Sequence, residues 1–212
     1  MPETMSVECR KLMKGYGAEL ILTPGSEGMK GSIAKAEELV KEKSYYMPMQ
    51  FDNPENPNIH ELTTGPEIIS AMNGIGKSVD AFVAGVGTGG TLSGIGRALK
   101  KENPNTKVYA LEPSESPLLK DGKTGKHGIA AGFIPKNLDK DVYDGIVEVS
   151  TDEAMKIACE VAKNEGFLPG IFAGANIHGA IELAKKLGKG HAAVTVSPDG
   201  GDRYLSTALF NE

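Results

Sequence analysis

The chain has 212 residues, 40% of them hydrophobic, and a formal net charge of -5. This length suits one α/β domain, or one domain with part of another, and the acidic balance without a basic stripe argues against nucleic acid as a partner. No apolar run reaches the length of a membrane span and no signal peptide opens the chain, so we expect a cytoplasmic protein without membrane association. The two cysteines, Cys9 and Cys159, fit a reduced cytosolic chain.

The first third of the chain predicts helices joined by short extended segments. A hydroxyl at Thr4 or Ser6 can cap a first helix that stops at Gly15 or Gly17. The patterns then predict a strand over 18–22 and an amphipathic helix over 28–43. A strand or extended segment is predicted over 45–51, and a proline-containing loop outside any helix interior over 53–57. A third helix over 59–72 is interrupted by a Gly-Pro pair. The amphipathic helix turns five apolar residues inward: Met29, Ile33, Ala36, Leu39 and Val40.

The stretch 81–100 is the most informative part of the chain. An apolar run is followed by glycines and threonines, and then by apolar residues at helical spacing. This order predicts a strand, a tight loop and a helix. Backbone amides at the start of such a helix form an anion site, and glycines let the backbone approach phosphate oxygens closely. Thr88 and Thr91 add hydroxyl donors.

Several interpretations of this loop compete. A Walker loop is excluded because no Lys followed by Ser or Thr closes it. The dinucleotide fingerprint is satisfied by Gly85, Gly87 and Gly90, and Glu112 ends the next predicted strand, where a ribose-binding acid would lie. A small phosphorylated cofactor held by 87–91 is the third interpretation, and a glycine-rich turn without a ligand is the fourth.

The remaining pattern alternates strands with helices. Strands are predicted over 107–111, 146–149 and 191–196, and helices over 151–164, capped by Thr151, and over 175–187 after a turn at 170–174. The stretch 112–144 has few regular signals. The alternation predicts an α/β fold with a mostly parallel sheet and helices on both faces. Because no strand precedes the first helix, the chain is expected to begin in the middle of a fold.

Six motifs in a fixed order resemble a known family. They are Met1-Pro2-Glu3-Thr4-Met5-Ser6, Gly28-Met29-Lys30-Gly31, Gln50-Phe51-Asp52-Asn53-Pro54, Gly85-Val86-Gly87-Thr88-Gly89-Gly90-Thr91, Gly132-Phe133-Ile134-Pro135 and Arg203-Tyr204-Leu205-Ser206-Thr207. Together they resemble cysteine synthase, the pyridoxal-phosphate-dependent O-acetylserine sulfhydrylase, over essentially the whole chain.

The resemblance implies a fold, a reaction and partners. The fold is the tryptophan-synthase-β-like pyridoxal-phosphate fold lacking its amino-terminal part, with 1–50 in the smaller, mobile substrate-side domain and 51–212 in the large cofactor-binding domain. The reaction is a β-replacement that makes cysteine from O-acetylserine and sulfide. The implied cofactor is pyridoxal 5'-phosphate, and the implied partners are these small molecules, a second copy of the chain in a homodimer, and the carboxyl-terminal tail of serine acetyltransferase.

The resemblance also assigns binding residues. Gly87, Thr88, Gly89, Gly90 and Thr91 would hold the cofactor phosphate. Gln50 matches a residue that helps to hold the substrate carboxylate, although a loop-stabilising amide is the alternative. Gly128 matches a glycine that lines the substrate side, with a plain turn glycine as the alternative.

Other family features are missing or altered. No catalytic residue is assigned, because the lysine that binds the cofactor covalently falls outside these 212 residues, as does the family's carboxylate-binding loop. Phe172 occupies the position of the serine that meets the pyridine nitrogen, so its ring either intrudes on the cofactor plane or turns into the core. The segment between Lys126 and Gly128 is also shorter than usual.

The chain is therefore expected to be inactive alone. A non-catalytic module that docks the acetyltransferase tail and a dinucleotide-binding domain remain as alternatives. Asp199 and Asp202 are expected to border the cofactor without acid–base roles. No metal site is expected, because four histidines lack metal-ligand spacing: His60, His127, His178 and His191.

Overall fold

The computed structural model describes residues 1–122 and 132–210. The strands are β1 (Ala81–Gly85), β2 (Lys107–Pro113), β3 (Gly145–Val149) and β4 (Ala193–Thr195). In the described part of the chain the α-helices are α1 (Val7–Gly15), α2 (Gly28–Lys43), α3 (Glu55–Ile59), α4 (Gly65–Gly74), α5 (Gly90–Glu102), α6 (Leu118–Asp121), α7 (Thr151–Glu165) and α8 (Ile171–Leu187). A π-helical turn, His60–Thr64, joins α3 to α4, and 3-10 turns lie at Gly25–Glu27 and Gly201–Tyr204.

The sheet has the strand order β3-β2-β1-β4, and each neighbouring pair is parallel. Val83 in the central strand pairs with Tyr109 on one side and with Thr195 on the other. Helices cover both faces, as a parallel sheet requires. This confirms the α/β fold class expected from the alternation of strands and helices.

Each face of the sheet has its own apolar core. On one face, Phe82 packs with Leu92 and Ile95 of α5, and α4 adds partly buried side chains. On the other face, Val83 and Leu111 pack with residues of α7 and α8, including Leu183. Successive strand residues point to opposite faces, which explains why neighbours such as Phe82 and Val83 belong to different cores.

The strand predicted over 18–22 is wrong, because that segment has no neighbouring strand among the described residues. Directly after this segment, Thr23 forms an isolated bridge with Pro2 at the chain start. A strand needs a neighbour for its backbone groups, and the hydrophobic alternation of the segment could not reveal whether one was present. Over 45–51, for which a strand and an extended segment were the alternatives, the structure has no strand.

The prediction of a proline-containing loop over 53–57 is also wrong in part, since α3 contains Pro57. The proline lies in the first helical turn, where a missing N–H breaks no helical hydrogen bond. The break expected at Gly65-Pro66 is a π-helical turn followed directly by α4. Because Pro66 has no N–H to donate backward, the wider π turn lets the helix continue.

Helix boundaries were predicted with mixed success. The bounds of α2 match the prediction, and Ser6 caps α1 by accepting a hydrogen bond from the Cys9 backbone N–H. The cap of α7 is Ser150 rather than Thr151, and it forms a capping box with Glu153. The turn predicted at 170–174 is instead the first turn of α8.

The described helices include none that is long and apolar enough to cross a membrane.

Candidate cofactor site

The loop between β1 and α5 lies at the carboxyl end of the parallel strands, where ligands bind in open α/β sheets. Val86 N–H donates to Leu111 O at 3.0 Å, which fixes the loop to β2. Gly89 precedes α5 with a φ of 83°, and a Cβ there would lie 2.8 Å from the Leu138 backbone. Only glycine fits this position. At Gly87, by contrast, a Cβ would meet nothing within 4 Å, so the loop faces open space there.

The open space is a cavity of about 310 Å³. Its walls come from the loop, the ends of β1 and β2, the start of α8 and the segment that follows β4. The residues used below are Gly87, Thr88, Thr91, Phe172, Asn176, Asp199 and Tyr204. The first N–H groups of α5 have no partner within the helix and carry its positive dipole end. The cavity therefore offers an anion site at its loop side.

The two loop hydroxyls are held by side chains from the preceding helical segment. Thr88 Oγ1 accepts from Asn56 Nδ2 at 3.0 Å and from Gly90 N at 3.4 Å. Thr91 Oγ1 lies 3.3 Å from His60 Nε2, and His60 Nδ1 lies 3.0 Å from Thr64 Oγ1. Sequence reasoning named both threonines but missed Asn56 and His60, which come from outside the glycine motif.

Burial lowers the pKa of His60 below its ordinary value of 6.5. The imidazole is therefore neutral near pH 7, and one of its nitrogens can accept a hydrogen bond while the other donates. A neutral ring adds no charge beside the loop.

Two polar side chains, of which Asn176 is buried and Asp199 partly buried, set the far wall of the cavity. Asn176 is 3% exposed; its Oδ1 accepts from Gly85 N at 2.8 Å, and its Nδ2 donates to Val196 O at 2.9 Å. Asp199 accepts from Ala173 N at 2.7 Å and from Tyr204 Oη at 2.6 Å. Asn176 ties α8 to the ends of two strands, and Asp199 caps the start of α8. No motif in the sequence pointed to Asn176.

Burial and the hydrogen bond to Asp199 raise the pKa of Tyr204. The phenol therefore keeps its proton and remains a donor to the carboxylate. Asp199 borders the cavity as expected, whereas the loop places Asp202 beside Gly200.

Phe172 lies in the same cavity as the phosphate loop. Its side chain is 40% exposed, and its backbone N–H donates to Asp199 Oδ2 at 3.2 Å. Phe172 is therefore part of the cavity lining and is not packed in the core. A phenyl ring has no donor or acceptor for a ring nitrogen.

Gln50 lines a neighbouring groove of about 330 Å³, not the cavity of the phosphate loop. The groove runs between α2 and the segment 47–52, and the Phe51 and Phe133 rings close it in an edge-to-face pair 5.0 Å apart. The Gln50 carbonyl accepts from Asn56 Nδ2 at 2.7 Å and from Asn137 Nδ2 at 2.8 Å. Gly128 and His127 lie outside the described residues.

The acid expected for a dinucleotide is not available. Glu112 is 3% exposed, and its carboxylate accepts from the backbone N–H of Leu119 at 2.6 Å and of Lys120 at 3.0 Å. It caps α6 and cannot also bind a ribose. Over 1–122 and 132–210 no cluster of three metal-ligating side chains occurs.

A pyridoxal-phosphate group fits the loop side of the cavity. The helix N-terminus, the two hydroxyls and the open face at Gly87 form a donor set for a phosphate dianion. Phe172, in the same lining, adds an apolar ring without a hydrogen-bond donor or acceptor.

The family model for pyridoxal-phosphate dependent enzymes matches residues 1–199. The chain belongs to this family, and the phosphate loop, the parallel sheet and the cavity agree with the match.

Within the family, this chain is a homologue of cysteine synthase. It is 57% identical to the cysteine synthase of Staphylococcus aureus over 214 aligned positions, covering all of this chain and 68% of the relative. A hydrogen sulfide-producing enzyme from Fusobacterium nucleatum superposes with a TM-score of 0.93 at 42% identity, over 100% of this chain and 65% of the other. Cysteine synthase from Entamoeba histolytica gives 0.89 at 39% identity, over 99% and 63%. The chain thus spans about two-thirds of the length of these proteins.

Proposed function

We propose that this chain is the carboxyl-terminal two-thirds of a cysteine synthase and supplies its phosphate-binding site. Pyridoxal 5'-phosphate, when bound, provides the electron sink for replacing the acetate of O-acetylserine by sulfide. The observation that carries the proposal is the 86–91 loop, with two hydroxyls at the start of α5, in a chain 57% identical to a cysteine synthase.

The residues of this chain have separate roles in the proposal. The α5 amides and the hydroxyls of Thr88 and Thr91 hold the phosphate, and Asp199 and Asn176 hold the wall opposite. Gln50 is proposed to help hold the substrate carboxylate, and Gly128 to line the substrate side. The lysine that binds the cofactor covalently is not among these residues, so the 212 residues alone should make no cysteine.

The central experiment compares pyridoxal 5'-phosphate with pyridoxal, which lacks the phosphate, by calorimetric titration of the purified chain. Each charge-assisted hydrogen bond to phosphate contributes about 1.5–3 kcal/mol. Thr88→Ala combined with Thr91→Ala should therefore lower affinity for the phosphorylated form by about a hundredfold or more.

Affinity for pyridoxal should not change in the double variant, which controls for damage elsewhere in the cavity. Equal binding of both ligands by the unaltered chain would refute the phosphate assignment. Cysteine formation from O-acetylserine and sulfide by the purified chain would refute the proposed inactivity.

A second candidate is docking of the serine acetyltransferase tail. The groove beside Gln50 favours it, because Met29, Ile33 and Phe133 give it an apolar lining that suits an extended peptide. Binding of a synthetic tail peptide, lost when Met29 is changed to Glu, tests this candidate.

A homodimer and a cytoplasmic location are further parts of the proposal. Sedimentation of the chain extended by a family amino-terminal segment tests the dimer.

A further inference from the structure

We propose that Asn56 is a positioning residue that aims the Thr88 hydroxyl at the cofactor phosphate and couples it to the loop that carries Gln50. The inference rests on the proposed phosphate site and adds a residue that the glycine motif does not contain. Asn56 lies in α3, 32 residues before Thr88, and its side chain bonds both loops.

The orientation of the Asn56 amide follows from its partners. Its Nδ2 lies 2.7 Å from the Gln50 carbonyl oxygen and 3.0 Å from Thr88 Oγ1. A carbonyl oxygen can only accept, so the nitrogen end of the amide must face it. One hydrogen of the NH2 group then goes to Gln50, and the other goes to Thr88.

This orientation leaves the Thr88 proton free for the ligand. A hydroxyl has one proton and two lone pairs. The Thr88 oxygen accepts from Asn56 Nδ2 and, more weakly, from Gly90 N at 3.4 Å. With both lone pairs engaged, the proton is directed away from these donors, and Thr88 lines the cavity.

Close packing holds the amide in place. A Cβ on Gly90 would lie 2.0 Å from Asn56 Oδ1, so the amide lies directly against the first residue of α5. The Gln50 carbonyl is held from the other side by Asn137 Nδ2 at 2.8 Å. A shift of the phosphate loop is therefore transmitted to the Gln50 carbonyl through the Asn56 side chain.

The first arm of the test is a double-mutant cycle with Asn56→Ala and Thr88→Val, read as pyridoxal 5'-phosphate affinity. Each single variant should lose about tenfold in affinity or more, because a phosphate donor is misdirected or removed. The double variant should lose no more than Thr88→Val alone, since Asn56 acts through that hydroxyl. Fully additive losses would overturn the proposal.

Asn58→Ala is the matched control. The Asn58 side chain bonds Glu55 on the exposed side of α3 at 2.8 Å, so this variant should leave the affinity for pyridoxal 5'-phosphate unchanged.

The second arm needs no cofactor. In a ¹H–¹⁵N correlation spectrum, Thr88→Val should shift the side-chain amide signal of Asn56, whereas Thr91→Val should leave it in place. An Asn56 signal unmoved by Thr88→Val overturns the inference. This arm separates the two proposals: if the chain fails to bind the cofactor but the signal moves, the proposed function is wrong and the positioning contact is upheld.

Discussion

The parallel sheet and the first 50 residues of the chain bury their apolar side chains to very different extents. Phe82, Leu92 and Ile95 are 0% exposed between the sheet and its helices. In contrast, α1 and α2 contain no buried residue, and Tyr16 and Tyr46 are 81% and 83% exposed. The sheet has helices on both faces, whereas no residue of the two helices near the start is fully buried by the described part of the chain.

The two parts of the site therefore differ in how firmly the surrounding packing holds them. The phosphate loop is attached to β1 and α5, where packing fixes the backbone. Gln50 lies at the edge of the poorly covered region and is held mainly by the amides of Asn56 and Asn137. We propose that residues 1–50 move relative to 51–212, with the division near Gln50, and that the phosphate is held by the rigid part.

The largest expected effect comes from matched truncations in the two regions. Leu92→Ala should lower the free energy of unfolding by about 2–5 kcal/mol, because it leaves a cavity in the core. Leu12→Ala in α1, where the side chain is 43% exposed, should change it by about 0.5 kcal/mol or less. Urea titration followed by circular dichroism measures both, and similar losses would contradict the comparison.

Hydrogen exchange should show the same division within one molecule. Amides of α1 and α2 should exchange far faster than those of β1 and α5, because few buried contacts oppose their opening. Their exposed apolar faces should also promote association of the isolated chain, visible by sedimentation. Uniform protection in a monodisperse monomer would show that the early helices are stable without a covering layer.

The same physical contrast explains which features the sequence could predict. Strands and helices around the sheet, including β1 and α5, carry strong patterns because burial on both sides imposes them. Segment 18–22 has an alternation that suits a strand, but a strand also requires a neighbour, and no pattern within five residues reports one. The phosphate loop was predicted from its glycines, whereas Asn56 and Asn176 were not, because their roles depend on contacts 32 and 91 residues away.

A smaller effect is expected at Phe172. Because the ring is 40% exposed, Phe172→Ser should lower the free energy of unfolding by only about 1 kcal/mol. In a chain extended by a family amino-terminal segment, the hydroxyl should strengthen pyridoxal 5'-phosphate binding about fivefold, as one neutral hydrogen bond to the ring nitrogen would.

Phe172→Ala makes the same room without a hydroxyl and serves as the control. Equal affinities of the Ser and Ala variants would mean that the position does not meet the ring nitrogen. Equal affinity and stability in all three proteins would place Phe172 outside the site.

The smallest expected effect is a pH dependence from His60. Because burial lowers its pKa in the folded chain below 6.5, the unfolded chain binds more protons between the folded value and 6.5. The stabilising effect of the neutral ring is thus complete above pH 6.5 and is lost as the pH falls below it. Hydrogen bonds and neighbouring cations lower the pKa values of the Asp80 and Asp144 carboxyls below their ordinary value of 3.8. Their contribution to stability is therefore lost only below pH 3.8, outside the range of this experiment. Thermal melts from pH 7 to 5 should show a decline that His60→Gln removes; an unchanged profile would exclude His60 as its source.

The position of β4 has a consequence for how the chain folds. Thr195 Oγ1 donates to Val83 O and Ala192 N donates to Asp80, each across 112 residues of sequence. Strand β1 therefore keeps one unpaired edge until β4, 112 residues further along, has been synthesised. Closing so long a loop is entropically slow, so β4 docking should be a late step of folding. Until then, β1 is the edge on which nascent chains are most exposed to mispairing with one another.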